Sequence, residues 1–446
     1  MKKLFYMAIV AIATLLLGGC LDNGSSADSP SNFTATAGDG RVKVEWTPNS
    51  GVDYWLFTAT DPSLTAFNWT GLPNASAYTN ATTPYYLCGL IDGTTYYFAA
   101  NGRINGGPGG PSSPTLSAIP YIASAKTWTL NPTSLIQNIY GVGYTSLTTC
   151  ANNGSISAAG SFAAVGATGV IFTSADGMNW TGQTSPVATN LNAVTGYATN
   201  QNNAASPGLR WVAVGDGGTA VYSTDGITWT VGRPYNAGNP ALRAITQLAG
   251  TYFAVGDAGT ILSSTDGSNW TSHTATSGTT NRLNGVTHGG IYVAVGDGGT
   301  ILTSSDGNTW TTQTSPVTSN LRQVASFVSV YGTIYVAVGD AGTILTSIDG
   351  GTTWIKQTSP TGTNLVGIAA QLRAVDTTTA VADPSLNFIS TVQFVAVDSS
   401  GNAYTSVNGY TWSTANPTGA TGINAMVSSG FGYVIAGNAG TSAYVF

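Results

Sequence analysis

Residues 292–310 read YVAVGDGGTILTSSDGNTW, and this stretch decides the fold. It contains two short apolar runs, each followed by a glycine-containing turn, which is typical of antiparallel β-strands. Related segments recur at 162–180, 211–229, 252–270, 335–354 and, with more differences, 394–412. The repeat therefore predicts a modular all-β architecture.

Each repeat is interpreted as four strands. The first begins at an aliphatic residue, the second is Val-Ala-Val-Gly, the third is Thr-Ile-Leu-Thr-Ser, and the fourth starts at the tryptophan. The tryptophans are 40 to 58 residues apart, which is the length of a β-propeller blade. Residues 122–446 are thus expected to form a seven-bladed propeller. Its seven first strands should begin at Ile139, Leu191, Leu242, Leu283, Leu321, Leu365 and Ile423.

The seventh blade is expected to be shared by both ends of the propeller segment. The last copy, residues 432–446, stops after its third strand, while 126–132 (KTWTLNP) resembles an isolated fourth strand. Unpaired strand edges promote aggregation. We therefore expect the strand at Trp128 to pair with Tyr444 and close the ring.

Residues 32–121 show short runs of alternating apolar and polar residues, which predict a β-sandwich. The segments LIDGTTYYF at 90–98 and GGPGGPSS at 106–113 resemble the fibronectin type III domain, whose L-x-x-G-T-x-Y corner would include Tyr96. The resemblance implies a spacer or docking module.

The amino terminus predicts export. Lys2 and Lys3 precede an apolar run too short to span a membrane, so residues 1–19 are expected to be a signal peptide. Residues 17–20 (LGGC) resemble a bacterial lipobox, which implies a lipid on Cys20, a flexible tether over 20–31 and, with Leu21 next, the outer membrane. The membrane would be contacted through this anchor only. The alternative is an ordinary secretory signal.

Two further cysteines, Cys88 and Cys150, would then lie in an oxidising compartment. Strand alternation directs Leu87 to the sandwich core and Cys88 outward. We expect an interdomain Cys88–Cys150 disulfide, with two unpaired thiols as the alternative.

Composition restricts the possible functions. Lys and Arg number 13 against 19 acids, which argues against nucleic acid as a partner. The only glutamate is Glu45, so the propeller lacks the usual glycosidase acid/base. The acids left for catalysis are Asp376, Asp383 and Asp398, the first two in an insertion interpreted as a loop. We therefore expect neither catalytic residues nor a cofactor.

The two histidines, His273 and His288, have no zinc-site spacing, so no metal is expected. A Ser-His-Asp triad stays open, although no G-x-S-x-G elbow is present.

The turn before each tryptophan resembles the Asp-box of sialidase-like (BNR) propellers. Its aspartates are expected to hold the turn structurally rather than act in chemistry. The combined pattern V-G-D-x-G-T-I-L and T-S-x-D-G-x-T-W is similar to photosystem II assembly factor propellers, which implies fold more strongly than function. The Asp-box acids are Asp176, Asp225, Asp266, Asp306 and Asp349, with Asn408 as the equivalent in the sixth blade.

One propeller face is predicted to bind a partner. It gathers the turn acids Asp216, Asp257, Asp297, Asp340 and Asp398. It also gathers the residues after each first-strand aliphatic: Tyr140, Asn192, Arg243, Asn284, Arg322, Val366 and Asn424. The arginines would anchor the partner or simply pair with the turn aspartates.

We expect a non-catalytic scaffold or binding lipoprotein, exposed to the periplasm or the surface, whose partner is an envelope protein or a surface polysaccharide. The alternative is a carbohydrate-binding or carbohydrate-cleaving protein of sialidase-like descent.

Overall fold

The computed structural model describes two compact units, one up to Pro120 and the other from Trp128 onward. Cys20, Cys150, Asp376 and Asp383 lie outside the described residues, as does the side chain of Cys88. No described helix is long and apolar enough to cross a membrane. The described residues are 24–38, 41–88, 90, 93–120, 128–130, 137–145, 161–199, 208–329, 332–372, 392–429 and 432–445.

The first unit consists of two antiparallel sheets around one core. One sheet has the order β2-β3-β6 and the other β1-β7-β4-β5, with β8 also paired to β7. Val42, Val44 and Trp46 point inward, as their alternation predicts, and pack with Leu56 and Phe98. The strands are β1 (Ser25–Ala27), β2 (Ser31–Gly38), β3 (Arg41–Thr47), β4 (Asp53–Ala59), β5 (Ser76–Ala81), β6 (Tyr85–Cys88), β7 (Tyr96–Ile104) and β8 (Leu116–Ala118), with a 3-10 helix at Trp69–Gly71.

Strand β1 corrects the predicted tether. Residues 20–31 were expected to be flexible, yet Ser25–Ala27 pairs with Gly102–Ile104 of β7. The glycine-rich loop makes this possible, because a side chain on Gly107 would collide with the backbone of Ser25 and one on Gly110 with that of Ala27. The ordered unit therefore begins inside the segment predicted to be a tether.

The second unit contains seven four-stranded antiparallel sheets in its described part. They are β10–β13 (Ile139–Thr145, Ser161–Gly166, Ile171–Ser174, Thr181–Gln183), β14–β17 (Leu191–Thr199, Gly208–Gly215, Ala220–Ser223, Trp229–Arg233), β18–β21 (Leu242–Leu248, Thr251–Gly256, Ile261–Ser264, Thr271–Ser272), β22–β25 (Leu283–His288, Tyr292–Gly296, Ile301–Ser304, Thr311–Thr312), β26–β29 (Leu321–Ser329, Gly332–Gly339, Ile344–Ser347, Ile355–Lys356), β30–β33 (Leu365–Leu372, Val392–Asp398, Asn402–Ser406, Ser413–Pro417) and β34–β36 (Ile423–Ser428, Tyr433–Gly437, Ser442–Val445) with β9 (Thr129–Leu130). The seven first strands begin at the seven predicted aliphatic residues.

The sheets form a closed ring. Each first strand contacts the first strand of the next sheet, and β34 contacts β10. The predicted closure is confirmed, because Thr129 of β9 pairs with Tyr444 of β36. The last sheet is thus completed by the strand that enters the unit.

Both faces of each second strand are buried, which explains their nearly continuous apolar sequence. In β23, Tyr292 and Ala294 pack with Phe253 of the preceding sheet. Val293 and Val295 point the other way and pack with Tyr335 of the following sheet. Alternate residues therefore join each sheet to its two neighbours.

Candidate functional site

The turn between the third and fourth strands uses its aspartate as a structural acceptor. Asp266 Oδ1 accepts the backbone N–H groups of Ser268 at 2.8 Å and Asn269 at 2.7 Å. These bonds, the Asn269 N–H first, hold the pKa of Asp266 well below its ordinary value. The indole Nε1 of Trp270 donates to the Gly267 carbonyl at 3.1 Å, which fixes the ring over the turn.

Equivalent turns occur once in each of the first six sheets, so these acids are distributed one per sheet rather than gathered in one site. Asn408 replaces the acid in the sixth sheet, and its amide oxygen accepts the N–H groups of Tyr410 and Thr411. An uncharged acceptor therefore suffices for the turn. The aspartates that accept two backbone N–H groups in the same way are Asp176, Asp225, Asp306 and Asp349.

The turn between the second and third strands is held against the start of the first strand. The backbone N–H of Asp257 donates to the Ala241 carbonyl at 2.9 Å, and the backbone N–H of Asp297 donates to the Arg282 carbonyl at the same distance. The turn aspartate therefore lies beside the residues that flank the first-strand aliphatic. This short 3-10 turn recurs at Asp216–Gly218, Asp257–Gly259, Asp297–Gly299 and Asp340–Gly342.

Residues near the start of the first strands surround a cavity of about 320 Å³ at the centre of the ring. The lining contains all seven predicted residues that follow a first-strand aliphatic, but only Asp297 of the predicted turn acids, and it adds Arg282, Asn320 and Met426. The predicted members of the lining are Tyr140, Asn192, Arg243, Asn284, Arg322, Val366 and Asn424.

Ion pairs connect neighbouring sheets around the cavity. Arg243 donates to both carboxylate oxygens of Asp257, at 3.0 and 2.8 Å, and lies 3.5 Å from Asp216. The hydrogen bonds to Asp257 raise the pKa of Arg243 above its ordinary value. Arg322 pairs with Asp340 through Nε. Pairing of both arginines with turn aspartates, the alternative considered from the sequence, is therefore observed.

Arg282 was missed by the sequence interpretation. Its Nε lies 3.2 Å from Asp297 and 3.8 Å from Asp257, so it bridges two turns. The interpretation considered only the residue after each first-strand aliphatic, whereas Arg282 precedes Leu283. Asn190 and Asn320 occupy the same preceding position and donate to Asp216 and Asp340, respectively.

Three predicted asparagines also join adjacent sheets. The amide of Asn192 donates to Asp216 and to the Leu242 carbonyl, both at 2.9 Å. Asn284 donates likewise to Asp297 and Leu321, and Asn424 to Asn438 and Ile139. Each amide group thus satisfies its own turn and the next first strand.

Asp398 does not join this surface, contrary to the sequence prediction. It is fully buried, and its carboxylate accepts the N–H groups of Ser400 and Asn402 and the hydroxyl of Tyr404. The turn after β31 folds around this carboxylate and removes it from the open face.

The histidines have packing roles. His273 contacts Ser263 Oγ at 2.8 Å, but Gln183 and Gln313 contact a threonine at the equivalent place in other sheets. Burial lowers the pKa of His273 below its ordinary value, with partial opposition from Asp306. His288 packs edge-on against Tyr292.

The described residues contain no group of three or more His, Cys, Asp or Glu that could hold a metal ion.

Comparisons with known proteins support the fold of the second unit. Residues 208–321 match the model of the DUF6242 beta propeller domain. A solved structure described as YCF48 bound to D1 peptide is 17% identical with a TM-score of 0.50, covering 72% of this chain and 95% of that chain. YCF48 from Cyanidioschyzon merolae is 15% identical with the same TM-score, covering 72% of this chain and 98% of that chain. No curated protein matches. The second unit is a β-propeller.

Proposed function

We propose that this protein is a non-catalytic scaffold or binding protein that takes its partner at the central cavity. In this proposal the second unit is a seven-bladed Asp-box propeller and the first a fibronectin type III domain. The observation that carries the proposal is the convergence of polar side chains from separate sheets on one cavity of about 320 Å³. Pockets with a few convergent polar groups are the default place for ligands.

Hydrogen bonding favours binding over catalysis. The turn carboxylates near the cavity accept hydrogen bonds from arginine and asparagine side chains. A carboxylate held in this way is a poor general base, because its oxygens are already occupied by donors. Asp398 is fully buried. The neighbour described as YCF48 bound to D1 peptide shows that a propeller of this fold accepts a peptide. We therefore propose an envelope protein rather than a surface polysaccharide as the partner.

A photo-crosslinking experiment tests the position of the binding surface. p-Benzoylphenylalanine would replace Tyr140 at the cavity or, as an aromatic control, the exposed Phe67 of the sandwich. We expect the same adduct protein in independent cultures only from the Tyr140 position. Val366→Trp fills the cavity without altering a charge, so it should remove that adduct.

Adducts from Phe67 alone, or an adduct that is insensitive to Val366→Trp, would place the partner elsewhere. Retention of an acidic polysaccharide by the purified protein, abolished by Val366→Trp, would favour the carbohydrate alternative.

We also propose that Cys20 carries a lipid and anchors the protein to the outer membrane. The support is the LGGC sequence after a short apolar run. Alkyne fatty-acid labelling should mark the wild type and be lost in Cys20→Ser, with the protein moving from the outer-membrane to the soluble fraction. Undiminished labelling of the variant would refute this anchor.

A further inference from the structure

We propose that the central cavity binds a peptide carboxylate through the terminal guanidinium nitrogens of Arg282 and Arg322. This inference rests on the proposed binding function and adds the chemistry that the site recognises. It is carried by the hydrogen-bonding inventory of the charged residues around the cavity.

The turn aspartates already have donors on both carboxylate oxygens. Asp257 is held by Arg243 through two hydrogen bonds. Asp297 accepts a hydrogen bond from Asn284 on one oxygen and forms an ion pair with Arg282 through the other. Asp216 and Asp340 are satisfied by the remaining donors, which are Asn190, Asn192, Asn320 and Arg322.

The arginines differ in how many donors they use. Arg243 directs Nε, Nη1 and Nη2 to aspartates. Arg322 donates through Nε alone, and Arg282 makes its closest approach to each aspartate through Nε. Within the described part of the chain, the Nη atoms of these two arginines make no hydrogen bond. Their side chains are 49% and 42% exposed, respectively.

The Nη groups of Arg282 and Arg322 favour an anionic ligand over a cation. Four turn aspartates against three arginines would favour a cation by formal charge alone. A cation, however, would compete with the arginine and asparagine donors that already occupy the carboxylates. An anion instead meets free N–H groups, and the planar guanidinium fork matches the two oxygens of a carboxylate.

The part of the cavity lining outside the four charged sheets indicates which group would accompany the carboxylate. Tyr140, Val142, Val366 and Met426 line it from the first, sixth and last sheets. The volume of about 320 Å³ lies at the small end of ligand pockets, so it holds a few residues rather than a folded surface. The occupant is thus a peptide carboxylate beside an apolar side chain, supplied by a carboxyl terminus or by an Asp or Glu side chain.

Fluorescence anisotropy with four labelled tetrapeptides on the full-length protein tests the proposal. The probes carry the uncharged fluorophore BODIPY at the amino terminus and are Gly-Gly-Ala-Leu with a free carboxylate, the same peptide as a carboxamide, and the carboxamides of Gly-Gly-Asp-Leu and Gly-Gly-Lys-Leu. We expect at least one carboxylate peptide to bind about tenfold or more tightly than the neutral carboxamide. Comparison of the free terminus with the Asp peptide identifies which source of carboxylate is preferred.

Arg282→Gln with Arg322→Gln should weaken carboxylate binding about tenfold or more and remove its dependence on ionic strength. Arg210→Gln is the matched control. Arg210 donates to the backbone carbonyl of Asp266, in the turn between the third and fourth strands of its sheet, and does not line the cavity. It should leave the affinity unchanged. Thermal unfolding of each variant establishes that the fold is retained.

The carboxylate proposal is overturned by equal binding of carboxylate and neutral carboxamide, by a preference for the Lys peptide, or by an unaffected double variant. Absence of binding by every probe up to about 10 mM also overturns it. If the Tyr140 photo-adduct persists in any of these cases, the cavity is still a binding surface and only the ligand chemistry is wrong. Loss of both results refutes both proposals.

Discussion

Replacement of Trp128 by Ala should selectively weaken closure of the propeller ring. Trp128 is 7% exposed and packs between the last two sheets, against Val395 and Tyr433. A buried tryptophan removes about 150–250 Å² from water, and its truncation costs about 3–5 kcal/mol. Because a domain of this length unfolds with an entropy of roughly 0.7 kcal/mol/K, the melting temperature should fall by about 6 °C.

Trp310 provides the matched control, since it is 5% exposed and lies in an unbroken repeat. Trp310→Ala should lower the free energy of unfolding by a similar amount, measured by denaturant titration. Only Trp128→Ala should accelerate hydrogen exchange in Ser442–Val445, because β9 is the strand that covers that edge. A loss below about 1 kcal/mol, or unchanged exchange there, would contradict this account of ring closure.

Four smaller predictions concern turns and cysteines. Asp306→Asn should cause only a small loss of stability in thermal denaturation, because Asn408 already serves as the acceptor in such a turn. Backbone hydrogen bonds lower the folded-state pKa of Asp306 below its ordinary value. Its carboxylate therefore stabilises the fold above the unfolded-state pKa, and this contribution is lost as the pH falls through the lower folded-state pKa, so melting temperatures from pH 5 to 2 should decline less in the variant. Ala258→Gly should stabilise by about 0.5–1 kcal/mol, since φ there is +56°. Non-reducing mass spectrometry should find Cys88 joined to Cys150, and two free thiols would disprove that bond.

Much of the propeller could be predicted because its repeat has a direct physical cause. The start of a first strand, such as Leu321, is a fully buried aliphatic position in every sheet. The turn aspartates lie beside these starts because their backbone N–H groups bond to the preceding residue. The buried aliphatic residue and the turn aspartate recur in the sequence, so residues as distant as Arg243 and Asn424 could be predicted to share one face.

The errors arise where local chemistry interrupts the repeat. Asp398 follows the same strand as the other turn acids, but hydrogen bonds from Ser400 and Tyr404 hold its carboxylate inside the turn. Strand β1 has three small residues without apolar alternation, so its pattern contains no strand signal. Its position depends instead on the space above Gly110, a tertiary feature.

The surroundings of the cavity are charged on one side only, because the four charged turns belong to consecutive sheets. A ring of identical sheets would present equivalent subsites and could not orient a ligand. Here the turn acids of four neighbouring sheets, Asp216 to Asp340, form one charged arc, while the equivalent positions elsewhere are Ala167, the buried Asp398 and Asn438. The asparagine and arginine side chains that join the sheets are the same ones that line the cavity. In the proposed binding function, the partner is recognised by residues of this structural network. Arg282 and Arg322 have donors left for it, since their terminal nitrogens make no hydrogen bond to the residues that the structure describes.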